Sequence, residues 1–312
     1  MLLTFFIIIS VAFILVRLLP NDLPPLLGKD MELVLQNRVR QGLVDKNGNP
    51  IPLMVQYWNF VKKTLIGFNW GLSERMYPSQ FCFDVFLEKL PNTILVNAYS
   101  SLFAVPLGLA LGIYAALKKN KWQDHLISTG VMVMVSVPSY IYAFMIQYVL
   151  CFELQLLPPL MNEGTNYFTW EMFKSMLPPV IALSLGSIAG YARFTRAELT
   201  EVLTSDYLLL ARTKGLTRAQ TTVRHALRNA MVPIFPSIIS EVIAVLGGSL
   251  IIESIFGVPG VGPLYVNSIT ALDYNFFLLL SAFYTLIGLV AGIVVDLSYG
   301  FIDPRIRMGS KK

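Results

Sequence analysis

The residues able to do chemistry in this sequence are few, and most are spaced wrongly for catalysis. Cys82 and Cys151 are its two cysteines and His125 and His225 its two histidines. None of them forms a metal-ligand spacing, so no HExxH, zinc or histidine-cluster site is expected. Ser139 and Ser240 carry hydroxyls but have no histidine or recognisable motif beside them, and no catalytic residue is assigned. Asp45-Lys46-Asn47-Gly48-Asn49 begins like a calcium loop but lacks the spaced glutamate, so a plain Asn-Gly turn is expected there. No Gly-x-x-x-x-Gly-Lys-Ser/Thr is present, so the chain has no P-loop with which to bind ATP. Glu241 stands out because it lies inside the apolar run around Ser240-Glu241-Val242-Ile243. An ionisable group at membrane depth is costly and faces either a cavity or a partner. It is a candidate pore-lining residue, with a structural hydrogen bond to a neighbouring helix as the alternative.

The richest local chemistry runs from Ser205 to Thr217. Ser205 and Asp206 favour a helix start. Lys214 suits the helix C-terminus, and Gly215 suits the left-handed residue just past it. Thr217 with Gln220 reads as a capping box that begins a second helix. The spacing predicts a short helix, a glycine-tight corner and a second helix. Tyr207, Leu208 and Leu210 or Ala211 would be exposed on the first of these, and exposed apolar residues on a short helix call for a partner. Packing against the chain's own helices is the competing reading.

The elements that must position these residues are membrane spans. Apolar residues make up 55% of the 312 and charged residues 14%, against about 25% charge in an ordinary soluble domain. Six apolar stretches approach the ~20 residues a span needs. They run from Leu2 to Leu19, Thr93 to Leu117, Ile127 to Cys151, Met176 to Tyr191, Met231 to Ile252 and Phe276 to Leu297. The first lacks the basic n-region and cleavage site of a signal peptide. The absence of basic residues ahead of it is unusual and fits a few residues missing before Met1. Small residues Gly247, Gly248 and Ser249 in the fifth permit close helix packing.

The net charge of +5 could suggest nucleic acid, but in a membrane protein Lys and Arg report topology. Lys118, Lys119 and Lys121 follow the second span. Arg193, Arg196, Arg212, Lys214, Arg218, Arg224 and Arg228 follow the fourth, and Arg305, Arg307, Lys311 and Lys312 end the chain. The loop after the third span holds only Lys174, and the loop after the fifth has none. Both termini are therefore expected in the cytoplasm, with 20–92 a large external loop or small domain. Within that loop Met54, Tyr57, Trp58, Val61 and Leu65 have the spacing of an amphipathic helix. The expected organisation is a first transmembrane helix over 1–19, the external loop over 20–92, a five-helix core over 93–297 that includes a cytoplasmic loop over about 196–230, and a tail over 298–312.

The pattern Asp206-Tyr207-x-x-x-Ala211-Arg212-x-Lys214-Gly215-Leu216, followed by Arg224-His225-Ala226-Leu227-Arg228-Asn229-Ala230 and Pro233, resembles the coupling loop of binding-protein-dependent ABC importer permeases. It is most similar to the dipeptide/oligopeptide/nickel permease family. The broader Glu-Ala-Ala-x-x-x-Gly signature is altered, since Leu209 and Leu210 precede Ala211 and Gly215, a departure common in the peptide branch. The resemblance extends along the chain through Leu90-Pro91-Asn92-Thr93, Val137-Pro138-Ser139, Leu157-Pro158, Glu253-x-Ile255-Phe256-x-x-Pro259-Gly260-x-Gly262, Asp273-Tyr274 and Asp303-Pro304-Arg305. Asn69-Trp70-Gly71-Leu72-Ser73, near the end of a long first external loop, resembles the B-type subunit rather than its C-type partner.

The resemblance implies an all-α type I ABC importer permease fold in a bacterial or archaeal plasma (inner) membrane. It implies a second, C-type permease subunit, two ABC ATPase subunits carrying ATP and Mg, and an external substrate-binding protein. No cofactor is implied on this chain, which would form a pore rather than act as an enzyme, and nucleic acid is not among the partners. Asp206, Tyr207, Ala211, Lys214 and Gly215 would form the ATPase-coupling corner, with Ala211 allowing close approach. Glu253, Phe256, Pro259, Gly260 and Gly262 would belong to an external gate or a binding-protein contact. The implied cargo is oligopeptides or dipeptides, with nickel chelates, haem or another small solute as the alternative. An ion-coupled secondary transporter is more distant, since it would call for paired intramembrane carboxylates or broken helices in an internal repeat.

Overall fold

The structure is a computed structural model and describes residues 1–19, 29–164 and 166–302. The basic tail with Asp303-Pro304-Arg305, and Pro20 at the start of the first loop, lie outside the described residues. The regular structure of the described residues is helical apart from two isolated bridges, Val44 with Pro50 and Leu72 with Phe81. Its α-helices are α1 (Leu2–Leu18), α2 (Lys29–Gln41), α3 (Leu53–Val61), α4 (Cys82–Leu117), α5 (Trp122–Ser136), α6 (Ser139–Ile146), α7 (Trp170–Leu203), α8 (Asp206–Thr213), α9 (Arg218–Thr221), α10 (Arg228–Ala244), α11 (Leu250–Ile255), α12 (Val261–Thr270) and α13 (Tyr274–Ile302). A π-helical stretch over Thr222–Leu227 joins α9 to α10, making one continuous rod over 218–244.

Four of these helices are long and apolar enough to cross a membrane: α4, α7, the rod ending in α10, and α13. The expected straight third span from Ile127 to Cys151 is corrected. Here α5 and α6, the latter prolonged by a π-helical turn over Gln147–Glu153, meet at 101°. Pro138 is the cause. It has no N–H to continue α5 and forces the residue before it out of the helical region, and Val137 is extended at φ −88°, ψ 126°. Counted as one bent span, the pair makes a fifth crossing; α1, at 17 residues, is shorter. The fifth expected span is also redrawn. Its helix starts earlier and stops at Ala244, and Gly247-Gly248-Ser249 form a break, not a helix-packing face.

The described residues divide into two compact units, one within 1–91 with 260–289 and the other within 92–259 with 290–302. In the first, Phe13 of α1 stacks on Phe60 (centroids 4.8 Å apart) and meets Tyr57 edge-on at 5.6 Å. The amphipathic reading of α3 therefore holds for Tyr57, whereas Met54 and Trp58 point outward. Asp45 closes the Asn-Gly turn by accepting from the backbone N–H of Asn47 and Asn49, both at 2.8 Å, with Gly48 at φ +84°. Two motifs far apart in sequence meet in this unit. Buried Asp273 accepts from Ser73 Oγ at 2.5 Å and from the backbone N–H of Arg75 and Met76 at 3.1 Å each. Asn275 donates to the Leu72 carbonyl at 2.9 Å.

In the second unit α4 and α7 approach closely. A Cβ on Gly108 would lie 2.9 Å from the Ile188 carbonyl, and one on Gly112 would lie 2.7 Å from the Ala192 carbonyl. This small-xxx-small pair lets two apolar helices touch along their backbones, where dispersion does what hydrophobic exclusion cannot do in lipid. Beyond it, Arg196 of α7 grips Asp124 at the start of α5 with two hydrogen bonds, Nε at 2.5 Å and Nη2 at 2.8 Å. Asp124 is buried and also accepts from the backbone N–H of Asn120 at 3.0 Å. A bidentate guanidinium–carboxylate pair fixes orientation as well as distance, so the ends of α5 and α7 are held in register.

Candidate functional site

Between α7 and α9 the chain builds the expected corner. Thr204 ends α7, and Ser205 occupies the N-cap position of α8. The Ser205 hydroxyl does not cap α8; it donates back to the Val202 carbonyl at 2.6 Å and closes the turn instead. Asp206 occupies the first turn of α8, where a negative charge is favourable. At the other end, Gly215 N–H bonds the Arg212 carbonyl at 3.0 Å and Leu216 N–H bonds the Ala211 carbonyl at 3.4 Å. That pair of bonds is a Schellman motif, and it requires a left-handed residue; Gly215 supplies it at φ +90°. The capping box then forms as its residues predict. Gln220 N–H donates to Thr217 Oγ1 at 3.3 Å, and Thr217 N–H donates to Gln220 Oε1 at 3.0 Å.

The faces of α8 differ from expectation. Leu208 is 1% exposed and Ala211 8%, while Tyr207 is 44%, Leu209 63% and Leu210 56% exposed. Leu208 and Ala211 therefore face inward, which corrects the expected exposure of Leu208; of the alternatives Leu210 and Ala211, Leu210 is the exposed one. Leu208 packs in a cluster with Ala116 of α4, Leu199 of α7, Ala226 and Ala230. One short helix is thus pinned by a single leucine to the ends of three long ones. Its outward surface is apolar and is flanked by exposed Arg212 and Lys214.

Glu241 lies within α10, half-buried. It accepts from Ser187 of α7 at 2.9 Å and from Ser101 of α4 at 3.5 Å. A cavity of about 140 Å³ adjoins it, bordered also by Asn97 and Ser100. The carboxylate is thus both hydrogen-bonded to neighbouring helices and beside open space, so the two sequence readings do not compete.

The segment after α10 is more deeply packed than an external contact surface would be. Glu253 and Phe256 are fully buried, and Gly260 and Gly262 are buried as well. Of the residues expected in an external gate or a binding-protein contact, Pro259 alone is partly exposed. Glu253 accepts from Thr93 Oγ1 at 3.0 Å, from Ser249 N–H at 3.1 Å and from Asn97 Nδ2 at 3.4 Å. The Pro259 carbonyl accepts from Asn92 Nδ2 at 3.0 Å. The expected Leu90-Pro91-Asn92-Thr93 motif and Glu253 are therefore halves of one arrangement, which no spacing in the sequence announces. Among the described residues no group of three or more His, Cys, Asp or Glu could hold a metal.

Residues 108–308 match the family described as binding-protein-dependent transport system inner membrane component. The chain is 32% identical over 308 residues to the dipeptide transport system permease protein DppB of Bacillus subtilis, covering 99% of this chain and 95% of that protein. It is 33% identical over 304 residues to the oligopeptide transport system permease protein OppB of Salmonella typhimurium, covering 97% of this chain and 95% of that one. Among solved structures, an amino acid ABC transporter crystallised with histidines aligns at a TM-score of 0.52 and 20% identity, over 70% of this chain and 94% of that one. The inward-facing MetNI methionine ABC transporter aligns at 0.51 and 17% identity, over 69% and 97% of the two chains. At those identities the solved structures speak for the fold alone.

Proposed function

The chain belongs to the family of binding-protein-dependent transport system inner membrane components, and from that premise we propose that it is the B-type pore subunit of an ATP-driven peptide importer. Its relatives at about one-third identity over nearly the whole chain are permeases named for dipeptide and oligopeptide transport. The pore is completed by a second permease subunit. Two ATPase subunits bind on the cytoplasmic side, where both termini also lie, and an external binding protein delivers cargo. ATP and Mg act on the ATPases, since this sequence has no P-loop.

The observation that carries this reading is α8, anchored underneath by Leu208 and apolar on its outward face. Tyr207, Leu209 and Leu210 enter a groove on the ATPase, with Asp206 and Lys214 at its rim. Closure of the ATPases on ATP displaces α8 as a rigid body. Through Leu208 the ends of α4, α7 and the α10 rod follow it, and access to the pore alternates. Glu241, beside its cavity, meets the cationic ammonium of a passing peptide. The segment from Glu253 to Gly262 shapes the outer mouth.

The test is uptake in a strain lacking the chain, complemented with the wild type and supplied with a peptide-length series, nickel and haem in parallel. Restored ATP-dependent uptake of dipeptides or oligopeptides is expected, and Glu241→Gln should depress it without abolishing assembly. Restoration of nickel or haem uptake with no peptide transported would remove the peptide assignment and leave the transporter class standing.

A further inference from the structure

A second cavity, unrelated to the pore residues, lies within the unit formed by 1–91 and 260–289. It measures about 160 Å³ and is lined by Arg17, Arg40 and Lys63, with Thr64, Trp70 and Phe81 among the other walls. None of its lining side chains, among the described residues, is acidic. The Glu74 carboxylate acts on Arg17 from outside the cavity and pairs with Arg38 at 3.6 Å. Three polar atoms of the lining residues, Arg17 Nε, Trp70 Nε1 and Thr64 Oγ1, are buried with no hydrogen-bond partner among the described residues, but they are closed off from the cavity space. The lining itself carries two guanidinium side chains and one ammonium and no carboxylate, so it favours an anionic acceptor that the chain does not supply. Lys63 Nζ donates to the carbonyls of Arg40 and Gln41, both at 2.9 Å, which fixes the ammonium at the wall with its third proton still available.

The position of Arg17 indicates where that acceptor comes from. Arg17 lies in the last turn of α1, after a mostly apolar stretch without a charge, with its guanidinium 5.3 Å from the centroid of the Phe13 ring. A helix of that length rises about 25 Å, close to the ~30 Å hydrocarbon core, so its terminal guanidinium sits where phosphate headgroups lie. The segments that line the cavity also leave large apolar side chains outward: Trp58 on α3, Ile66 and Phe68 just after it, and Phe81 on the wall itself. An apolar rim around a cationic cup fits a ligand that is anionic at one end and oily at the other.

We propose that this cavity binds a phosphate oxyanion, presented by the headgroup of an anionic phospholipid whose acyl chains lie against Trp58, Ile66 and Phe68. The lipid ties α1, α2 and α3 together at the membrane surface.

The test uses the whole transporter, purified in detergent and depleted of lipid. The probes are phosphatidylglycerol, a diglucosyl diacylglycerol with the same acyl chains, and inorganic phosphate. Native mass spectrometry reads the lipid retained, and a thermal-unfolding scan reads the effect of phosphate. Retention of phosphatidylglycerol over the glycolipid is expected, falling roughly fivefold for each of Arg17→Gln and Arg40→Gln. Arg17→Lys, which keeps the charge, should retain most of the binding. Arg40 is exposed, so Arg40→Gln gives a reading even if Arg17→Gln fails to assemble. If inorganic phosphate alone stabilises the wild type but not Arg40→Gln, the oxyanion site stands with a soluble source. Equal retention of the two lipids with no response to phosphate, or phosphatidylglycerol binding indifferent to Arg40→Gln and Arg17→Gln alike, would overturn the proposal.

Discussion

Gly215→Pro is expected to abolish uptake while leaving the chain inserted and assembled with its partners. Gly215 sits at φ +90°, and proline is locked near −65°, so the substitution cannot be accommodated by a small adjustment. It also removes the N–H that bonds the Arg212 carbonyl, and with it half of the Schellman motif. The local cost is about 3 kcal/mol or more, enough to reorient or unwind the last turn of α8. The long helices do not depend on this corner, so insertion survives. The ATPases should still hydrolyse ATP, but without delivering cargo. Gly215→Ala is the contrast. A Cβ there meets nothing within 4 Å, so only the left-handed backbone is penalised, by about 1 kcal/mol, and uptake should fall a few-fold at most. Transport and ATP hydrolysis measured together in proteoliposomes distinguish the cases. Normal uptake by Gly215→Pro would refute the coupling role of the corner.

The second large effect is expected at Gly248 and Glu253. A Cβ on Gly248 would overlap the Glu253 carboxylate and the Thr93 methyl, and the residue sits at φ +64°. Gly248→Val therefore cannot fit unless the carboxylate leaves its place. Glu253→Ala removes the acceptor for Thr93, Ser249 and Asn97 in a fully buried site. Leaving the Ser249 N–H without its acceptor there costs about 1–3 kcal/mol, and the loss of the Thr93 and Asn97 bonds to the carboxylate adds to it. Both variants should lower the thermal transition of the assembled transporter by several degrees or prevent its assembly. Glu253→Gln should be much milder. Its carbonyl can keep the Ser249 bond, and its amide can donate to the Thr93 hydroxyl once that hydroxyl rotates. If Glu253→Ala and Glu253→Gln proved equally stable in a thermal scan of the purified complex, the buried network would not be holding the segment.

Much of this was legible in the sequence wherever the signal was local. Gly215, Lys214, Thr217 and Gln220 each announce a backbone conformation by residue type, and the corner forms as they specify. What a helix buries is decided elsewhere, and there the reading failed. Leu208 and Leu209 look alike in sequence, yet Leu208 is buried because Leu199, Ala226 and Ala230 leave a pocket beneath it. Gly247-Gly248-Ser249 read as a packing face, and what makes them a break, the Glu253 carboxylate against Gly248 and the Ser249 N–H, is not visible in their residue types. Gly108 and Gly112 carried a spacing signal that could have found the α4–α7 contact. Val137-Pro138 carried the chemistry of a break, but the apolar run around it, uninterrupted by charge, read as a single span. Asp273 and Ser73, 200 residues apart, could be joined only by the fold.

Energy is proposed to enter this chain through the outward face of α8. This route is tested most directly by cross-linking in the assembled transporter. Leu209→Cys and Leu210→Cys, treated with a short maleimide–succinimidyl reagent, should each give a covalent adduct with an ATPase subunit. Adduct formation should change when ATP is bound, and Trp58→Cys, exposed in the other unit, should give none. Failure of both α8 positions to reach the ATPase, with adducts forming instead from Lys119→Cys, would place the energy-receiving contact elsewhere and contradict the claim.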